Sequence, residues 1–483
     1  MNSNKVDPNP ELVVIGAGGA GLAAGLAAAE NGVKNIIILE ARPVPGGNAV
    51  NAMGMFAAES RVQTSFGVDA RKDDLFKKAM SYAHWKTNPR LVRALVDLSG
   101  DTIQWLEEHG QRFERIKAVY PNQVPLVSHM TGGPGKTGAN VVRSLMKSCE
   151  KMGVNFLYKT KATHLITGEN GAVTGVLGLD GEKEIRFHTK SVVIATGGFL
   201  GNKELLSRFF PSYNQEEFHY SGLPHNGDGL RMATEIGAAT EGLAVLEMEG
   251  PAFPWSPFLS VISKRPNTIW VNKRGERFTD ETVIFLFPES ANSLYRQPKR
   301  VSYTLFDENI KWNLFKAELT PFEKLVVGEG LWHEKAEKDL RLQAEKGRAK
   351  ISESLEGIAE WIGANPNILQ AEINEYNIAC DQGHDAIFAK DRRYLHPLRK
   401  PPYYAIQCCL NLLTTHGGIK INHRMEVLDT EDNPIAGLYA AGNETGTTDS
   451  DTYDVNLAGH SFGFAINSGR IAGNNAAEFI ARP

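Results

Sequence analysis

An uncharged stretch from Leu12 to Ala29 constrains the fold of this chain more than any other part of the sequence. Its length alone would suit a membrane span. However, four glycines precede its Ala- and Leu-rich half, and this order is typical of a buried strand, a tight turn and a helix. We predict the strand at Glu11–Ile15 and the helix at Leu22–Asn31, closed by Gly32. The stretch therefore predicts an α/β domain.

The glycines follow the pattern Gly16-x-Gly18-x-x-Gly21, in which each position has its own steric reason. The first permits a tight turn, the second lets the backbone approach a pyrophosphate, and the third lets the helix pack closely on the strand. A second strand, Ile36–Leu39, ends at Glu40, whose carboxylate is placed to accept hydrogen bonds from an adenosine ribose. This order of elements predicts a dinucleotide site at a helix N-terminus rather than a chance glycine-rich turn.

Several later segments are also rich in glycine and other small residues. Two of them follow predicted buried strands, and one opens a C-terminal helix. Segments with so little side-chain volume would let the backbone lie against a large planar cofactor. They comprise residues 46–48, 52–58, 195–198, 441–443 and 467–473.

In residues and order, these segments resemble the flavoprotein family of fumarate reductases, succinate dehydrogenase flavoprotein subunits, urocanate reductase and ketosteroid dehydrogenases. Residues 225–233, with their Gly-Asp-Gly, and residues 271–281, which read Val-Asn-x-x-Gly-x-Arg-Phe-x-x-Glu, extend the resemblance over nearly the whole chain. It implies bound FAD, held noncovalently because the family's covalent-flavin histidine has no counterpart in residues 48–54. The cofactor contacts that it implies are Gly16, Gly18, Gly21, Glu40, Ala41, Gly46, Gly47, Asn48, Gly54, Met55, Ala162, Ala195, Thr196, Gly197, Asp228, Gly442, Asn443, Gly459 and Ser461.

The resemblance also implies the domain organisation. A Rossmann-like FAD-binding domain would be built from residues 1–252 and 397–483, with an α+β capping domain inserted at 253–396. The composition agrees with this boundary, because residues 311–360 are rich in Lys and Glu at helical spacing while the glycine-dense strands lie outside them. We expect this charged run to be a solvated helix face.

Three departures from the fumarate reductases concern charged substrate contacts. Phe285 stands at the place of their arginine proton donor, Thr414 replaces a carboxylate-binding histidine, and Asn456 replaces a second carboxylate-binding arginine. A dianion such as fumarate or succinate needs such cations. The sequence therefore predicts a larger, less charged substrate.

Four residues are candidates for handling the proton on the reacting carbon. Tyr453 resembles the catalytic tyrosine of the ketosteroid dehydrogenases. His416 and His460 can titrate near neutral pH, with a structural role as the alternative for each. Arg265 lies where fumarate reductases keep a relay arginine, and a solvated surface residue is its alternative. Glu249 is a further candidate, either as a base or as a turn cap.

The resemblance and its departures together predict an FAD-dependent oxidoreductase that reduces or desaturates a carbon–carbon bond next to an electron-withdrawing group. Either direction of reaction fits the sequence. The alternatives are a flavin oxidase or hydroxylase acting at C–H, C–N or C–O bonds, and a non-catalytic electron-transfer flavoprotein. Phe285 in particular keeps the last alternative open, because phenylalanine transfers no proton.

Composition excludes several other functions. The 52 basic and 56 acidic residues give a net charge of −4, so we expect no nucleic-acid partner. Four cysteines without metal-ligand or disulfide spacing predict no metal site and a reducing, cytoplasmic setting, with which the polar N-terminal segment agrees. Because no haem or cluster ligand set and no second complete glycine fingerprint occur, we expect a separate electron donor or acceptor.

Overall fold

The chain divides into two compact units. The computed structural model describes residues 8–117, 124–132, 135–214, 217–328, 330–446 and 448–482. Unit 1 consists of residues 1–212, 222–247 and 414–483, and unit 2 of residues 213–221 and 248–413. The predicted capping domain ends at residue 396, whereas unit 2 continues to residue 413. Unit 2 extends beyond that point because the strand Tyr403–Thr415 pairs with the strands of its sheet.

Strands and helices are interspersed along the chain, which confirms the α/β prediction. The strands are β1 Leu12–Ile15, β2 Ile36–Glu40, β3 Met55–Phe56, β4 Phe113–Lys117, β5 Ser128–Thr131, β6 Asn155–Tyr158, β7 Thr160–Thr167, β8 Val173–Asp180, β9 Lys183–His188, β10 Ser191–Ile194, β11 Phe218–Tyr220, β12 Thr240–Glu241, β13 Leu246–Ala252, β14 Ile269–Val271, β15 Val301–Asp307, β16 Ala349–Ser352, β17 Tyr403–Thr415, β18 Gly418–Ile419, β19 Glu426–Leu428 and β20 Pro434–Ala440. The helices are α1 Gly19–Glu30, α2 Arg61–Ser65, α3 Lys72–Tyr82, α4 Pro89–Glu108, α5 Thr137–Lys151, α6 Lys203–Phe209, α7 Asp228–Glu235, α8 Pro257–Ser263, α9 Phe287–Tyr295, α10 Glu308–Lys316, α11 Pro321–Val327, α12 Trp332–Glu345, α13 Leu355–Ile362, α14 Pro366–Gln382 and α15 His460–Ile480.

Unit 1 is built on a six-stranded sheet in the order β19-β20-β10-β1-β2-β6. All neighbours are parallel except the edge pair of β19 and β20. Every residue of β1, β2 and β10 is buried, as expected for central strands of a parallel sheet covered on both faces. The strands end in register, since Ile15 pairs with both Leu39 and Ile194, and Ile194 pairs with Ala440. The segments that follow them therefore emerge at one edge of the sheet.

Helices α1 and α15 pack against each other at backbone distance. A Cβ at Gly469 would lie 2.1 Å from the carbonyl oxygen of Ala20, and one at Gly473 would lie 2.2 Å from that of Ala24. Only glycine fits at these two positions.

Among the described residues, none of the helices has the length and apolarity needed to cross a bilayer. The uncharged stretch Leu12–Ala29 instead forms β1, a turn and most of α1.

Unit 2 holds a second six-stranded sheet, in which β17 pairs with β11, β13, β15 and β16 and β14 pairs with β15. Its apolar core is formed by this sheet and by helices α8 and α10–α14.

Four charged side chains of unit 2, two of them from the segment 271–281, are buried together. Arg277 bonds Glu281 at 3.0 Å and Asp385 at 2.8 Å, and Lys390 bonds Glu281 at 3.0 Å. Their pairing compensates the cost of burying them.

Removing one charge from this buried network should strongly destabilise unit 2. We expect Glu281→Gln to lower the free energy of unfolding by about 3–5 kcal/mol, because Arg277 and Lys390 would lose their shared partner without access to water. The matched control is Asp381→Asn, which breaks the pair with Arg399 that is largely exposed; it should cost less than about 1 kcal/mol. Urea titrations measure both, and equal costs would contradict the prediction.

Candidate active site

The turn between β1 and α1 brings backbone atoms into direct contact. Gly16 has a φ of +108°, and a Cβ there would lie 2.4 Å from the carbonyl oxygen of Ala195. A Cβ at Gly21 would lie 1.8 Å from the carbonyl oxygen of Gly16. At Gly18, by contrast, a Cβ would meet no atom within 4 Å. Gly18 also caps α1 without a side-chain hydrogen bond, so the first N–H groups of the helix border an open cradle suited to phosphate.

The carboxylate of Glu40 braces this cradle from the end of β2. One oxygen accepts a hydrogen bond from the backbone N–H of Ala17 at 2.9 Å, and the other accepts one from that of Arg42 at 2.8 Å. These two bonds hold the nearly buried carboxylate at the sheet edge beside the glycine turn. This is the position in which a ribose is expected next to a pyrophosphate in such folds.

All the predicted cofactor residues belong to unit 1, and most lie where parallel strands of the central sheet end. Ligands of parallel sheets usually bind at this edge. The residues lie in the turn after β1 and in α1 (Gly16, Gly18, Gly21), in or after the end of β2 (Glu40, Ala41, Gly46, Gly47, Asn48), in or before β3 (Gly54, Met55), in β7 (Ala162), after β10 (Ala195, Thr196, Gly197), at the start of α7 (Asp228), after β20 (Gly442, Asn443) and around the start of α15 (Gly459, Ser461).

Hydrogen bonds connect some of these residues to one another and to the substrate-contact positions. The Nδ2 of Asn443 donates to the hydroxyl of Thr414 at 3.0 Å and to that of Ser461 at 3.3 Å. Asp228 forms an ion pair with Lys161 at 2.8 Å, one residue before the predicted contact in β7. The segment after β20 is thus joined to both β17 and α15.

Three of the four predicted catalytic residues meet in a buried cluster of unit 1. Tyr453, His416 and His460 are each at most 5% exposed. Asp449 lies between the two histidines and accepts hydrogen bonds from Nδ1 of His416 at 2.5 Å and from Nε2 of His460 at 2.9 Å. The ring of Tyr453 lies 4.2 Å from that of His460 and 5.6 Å from that of His416, centroid to centroid. One carboxylate therefore connects both histidines beside the tyrosine.

The acceptors around the two histidines fix their protonation. Nε2 of His416 lies 3.2 Å from Oε2 of Glu247, and Nδ1 of His460 lies 3.2 Å from the carbonyl oxygen of Leu457. Since the remaining nitrogens face Asp449, all four ring nitrogens face an acceptor, and this arrangement favours the doubly protonated form of each ring. Burial alone would lower the pKa of His416, but Asp449 and Glu247 outweigh it and raise that pKa to about 10. The pKa of His460 is raised by Asp449 against the same effect of burial.

Three acidic residues of this site are not among those predicted from the sequence: Asp449, Glu247 and the fully buried Glu444. For Asp449 a signal exists, because three aspartates surround the predicted tyrosine in residues 449–454. Glu444 directly follows Asn443, and Glu247 lies two residues before Glu249, but nothing in the sequence identifies their partners.

The other two candidates, Arg265 and Glu249, lie in unit 2, each in an ion pair. Arg265 donates to Glu323 at 2.9 Å. Lys264 donates to one oxygen of Glu249 at 2.9 Å, and Asn411 donates to the other at 2.7 Å. Burial acts to raise the pKa of Glu249, but Lys264 and these bonds outweigh it and lower the pKa. Glu249 is therefore a paired carboxylate and no free base, and proton transfer by Arg265 stays a prediction.

The cluster is also the set of side chains most suited to a metal ion. The potential ligand atoms of His416, Asp449 and His460 lie within 4.8 Å of one another, and no second such set occurs within the ranges that the structure describes. The ring nitrogens that would bind a metal donate directly to Asp449 instead. The sequence-based prediction that the chain has no metal site stays a prediction.

The histidine charge should make stability depend on pH. Because the folded pKa of His416 is raised to about 10, its contribution is complete below its unfolded pKa of about 6.5 and is lost as pH rises through 10. We expect His416→Gln to flatten the decline of the unfolding free energy between about pH 7 and pH 9.5 by up to about 1.4 kcal/mol per pH unit. Urea titrations at several pH values measure this slope. The exposed His423, changed to Gln, should leave it unaltered, and parallel slopes for His416→Gln and the wild type would contradict the prediction.

The glycine cradle gives a second prediction. Gly21→Ala should abolish FAD binding, because the new Cβ would overlap the backbone oxygen of Gly16, which cannot move without opening the turn. Gly25→Ala in the same helix is the matched control, since its Cβ would meet only the flexible end of Ile38 at 2.9 Å. Flavin absorbance per mole of purified protein compares the variants. Full flavin content in Gly21→Ala would show that the turn does not need this close contact.

Comparisons with known proteins agree with this geometry. Residues 11–453 match the family model of the FAD binding domain. Vinyl phenol reductase of Lactiplantibacillus plantarum is 30% identical over 489 residues, which cover 97% of this chain and 96% of that protein. A probable fumarate reductase of Shewanella frigidimarina is 28% identical over 472 residues, covering 97% and 75% of the two chains.

A solved structure extends the agreement to the fold. The 3-ketosteroid Δ1-dehydrogenase from Sterolibacterium denitrificans superposes with a TM-score of 0.80 at 19% identity, covering 98% of this chain and 100% of that one. The predictions of the family, of its α/β fold and of FAD as cofactor are confirmed. The open cradle at Gly18 and the anchored carboxylate of Glu40 suit the pyrophosphate and a ribose of this cofactor. The chain belongs to the FAD-binding flavoprotein family and is an FAD-dependent oxidoreductase that acts on CH–CH bonds.

Proposed function

We propose that this enzyme reduces or desaturates a carbon–carbon bond next to an electron-withdrawing group, in a substrate larger and less charged than fumarate or succinate. The observation that carries the proposal is the cluster of His416, Asp449, His460 and Tyr453, in which Asp449 and Glu247 balance the two histidines next to a phenol. Bound FAD would supply or accept the hydride. The protein's own side chains would deliver or remove the proton on the adjacent carbon.

The charge balance argues against a dianionic substrate. The imidazolium of His416 lies between the carboxylates of Asp449 and Glu247, and that of His460 bonds the same Asp449. Cations that are neutralised in this way have little attraction left for a dicarboxylate. An uncharged electron-withdrawing group, such as a carbonyl or an aryl ring, does not depend on that attraction.

The three substituted positions of the fumarate reductase pattern support the same conclusion. Thr414 accepts a hydrogen bond from Asn443, and Asn456 donates to Asp454 at 2.9 Å. In unit 2, the ring of Phe285 packs edge-on against that of Tyr394 at 5.6 Å. None of these three side chains carries a charge with which to hold a substrate carboxylate.

Tyr453 is the proton donor or acceptor in this proposal. Its hydroxyl oxygen accepts a hydrogen bond from the backbone N–H of Gly459 at 3.3 Å, and its ring lies against the His460 imidazolium. Both contacts hold the phenol in one orientation, as a general acid or base requires. Asp449 keeps His460 charged and oriented for this purpose. Asp449 orients His416 in the same way, and the ring of His416 lies further from that of Tyr453, at 5.6 Å between centroids.

The name of one relative supports an alkene substrate. The name of the Lactiplantibacillus plantarum protein is that of a reductase for a vinyl phenol, an aryl-substituted alkene without a carboxylate. We infer that an aryl-substituted alkene is the substrate class to test first. Electrons would come from, or go to, a separate reductase, quinone, free reduced flavin or oxygen.

The proposal is tested with photoreduced holoenzyme mixed anaerobically with hydroxystyrenes, aryl enones and fumarate. We expect the uncharged aryl alkenes to reoxidise the flavin at least about tenfold faster than fumarate does, because both histidines of the described cluster are paired with carboxylates. Tyr453→Phe should slow the reaction by about 10²–10⁴, the usual contribution of a general acid. Stopped-flow absorbance of the flavin measures the rates.

The matched control is Tyr439→Phe, which removes the hydroxyl of another buried tyrosine, one that bonds Asn475. It should react at the wild-type rate. Fumarate as the fastest oxidant would contradict the predicted substrate class. A wild-type rate for Tyr453→Phe would exclude this tyrosine, and peroxide formed from a saturated donor under air would indicate an oxidase instead.

A further inference from the structure

Glu444 is a buried carboxylate that the proposed reaction does not use. It ends the short 3₁₀ helix Gly442–Glu444 after β20, and none of its surface is exposed. Burial raises the pKa of its carboxyl group. No Lys, Arg or His within the described ranges forms an ion pair with it. A buried acidic group without a cationic partner is costly, so its presence needs an explanation.

The contacts of Glu444 join three segments that were identified as cofactor contacts. Its Oε1 accepts a hydrogen bond from the backbone N–H of Leu230 at 2.7 Å, in the first turn of α7. Its Oε2 accepts one from the N–H of Gly198 at 2.9 Å and contacts the hydroxyl of Thr196. Helix α7 has no side-chain cap of its own at Gly227, so Glu444 serves as its cap from a distant part of the sequence.

Helix α7 packs closely against this carboxylate at Gly229. A Cβ at Gly229 would lie 2.3 Å from Oγ1 of Thr196 and 3.0 Å from Cδ of Glu444. The segment that carries Asn443 is therefore fixed relative to the turn after β10 through one side chain. Backbone N–H groups and a helix N-terminus stabilise a negative charge without cancelling it.

We propose that Glu444 is a positioning residue for FAD, which sets the spacing of the segments at Thr196 and Asn443 and lowers the reduction potential of the bound flavin. The spacing follows from the three contacts. The lower potential follows from a negative charge that no cation pairs with, because such a charge disfavours the addition of electrons to a nearby group. This role concerns the cofactor and is independent of the substrate.

The test compares Glu444→Gln and Glu444→Asp as holoenzymes, without any substrate. Glu444→Gln removes the charge and sets an amide against backbone donors, so we expect a higher midpoint potential and an FAD dissociation constant raised about tenfold or more. Glu444→Asp keeps the charge but cannot reach all three partners, so it should bind FAD more weakly at a wild-type potential. Reductive titration against a reference dye gives the potential, and flavin fluorescence gives the dissociation constant.

Glu241→Gln is the matched control, because Glu241 is also partly buried in unit 1 with a raised pKa, yet its Oε2 accepts no hydrogen bond from the described residues. It should change neither quantity. An unchanged potential in Glu444→Gln would overturn the electrostatic role, and FAD binding of wild-type strength in Glu444→Asp would overturn the positioning role. If Glu444→Gln fails to fold, Glu444→Asp tests both roles. Its FAD dissociation constant tests the positioning role. Its midpoint potential tests the electrostatic role, because a shift in potential at constant charge would contradict that role.

Discussion

The hydrogen bonds that Asp449 accepts from two histidine rings hold the proposed catalytic cluster of unit 1 together. The arrangement works only as a whole. Without Asp449, two adjacent cations would repel each other in a buried place, and without the rings, Asp449 would be a buried unpaired charge. The ring of Tyr453 lies against both histidines, so the proton transfer proposed for this tyrosine would depend on charges that stabilise one another.

The cofactor half of unit 1 rests on a different constraint, which is contact between backbone atoms. Glycines at the turn after β1 and in α15 let main chains approach where any side chain would overlap. Two carboxylates then fix the surrounding segments by accepting backbone N–H bonds, Glu40 after β2 and Glu444 after β20. Both carboxylates thus fix the backbone segments at the edge of the sheet where the cofactor is expected.

The local parts of this architecture could be predicted from the sequence, and the non-local parts could not. The glycine turn and Glu40 lie within one strand–helix–strand unit, whose order is visible in the residues themselves. Helix α1 starts at Gly19, earlier than predicted, because the second glycine of the pattern serves as its cap. The roles of Glu247 and Glu444 depend on partners 169 and 246 residues away, which no spacing rule reveals. Unit 2 extends beyond the predicted capping domain for a similar reason, since β17 pairs with strands from far earlier in the chain.

The contact of Gly469 and Gly473 with α1 has a consequence for how the protein forms in the cell. A ribosome releases β1 and α1 long before their partner α15 emerges. Until then the face of α1 that packs on α15 is uncovered, whereas the strands and helices of unit 2 lie close together in the chain and can assemble beforehand. Nascent chains stalled before α15 should therefore depend on chaperones to shield this surface.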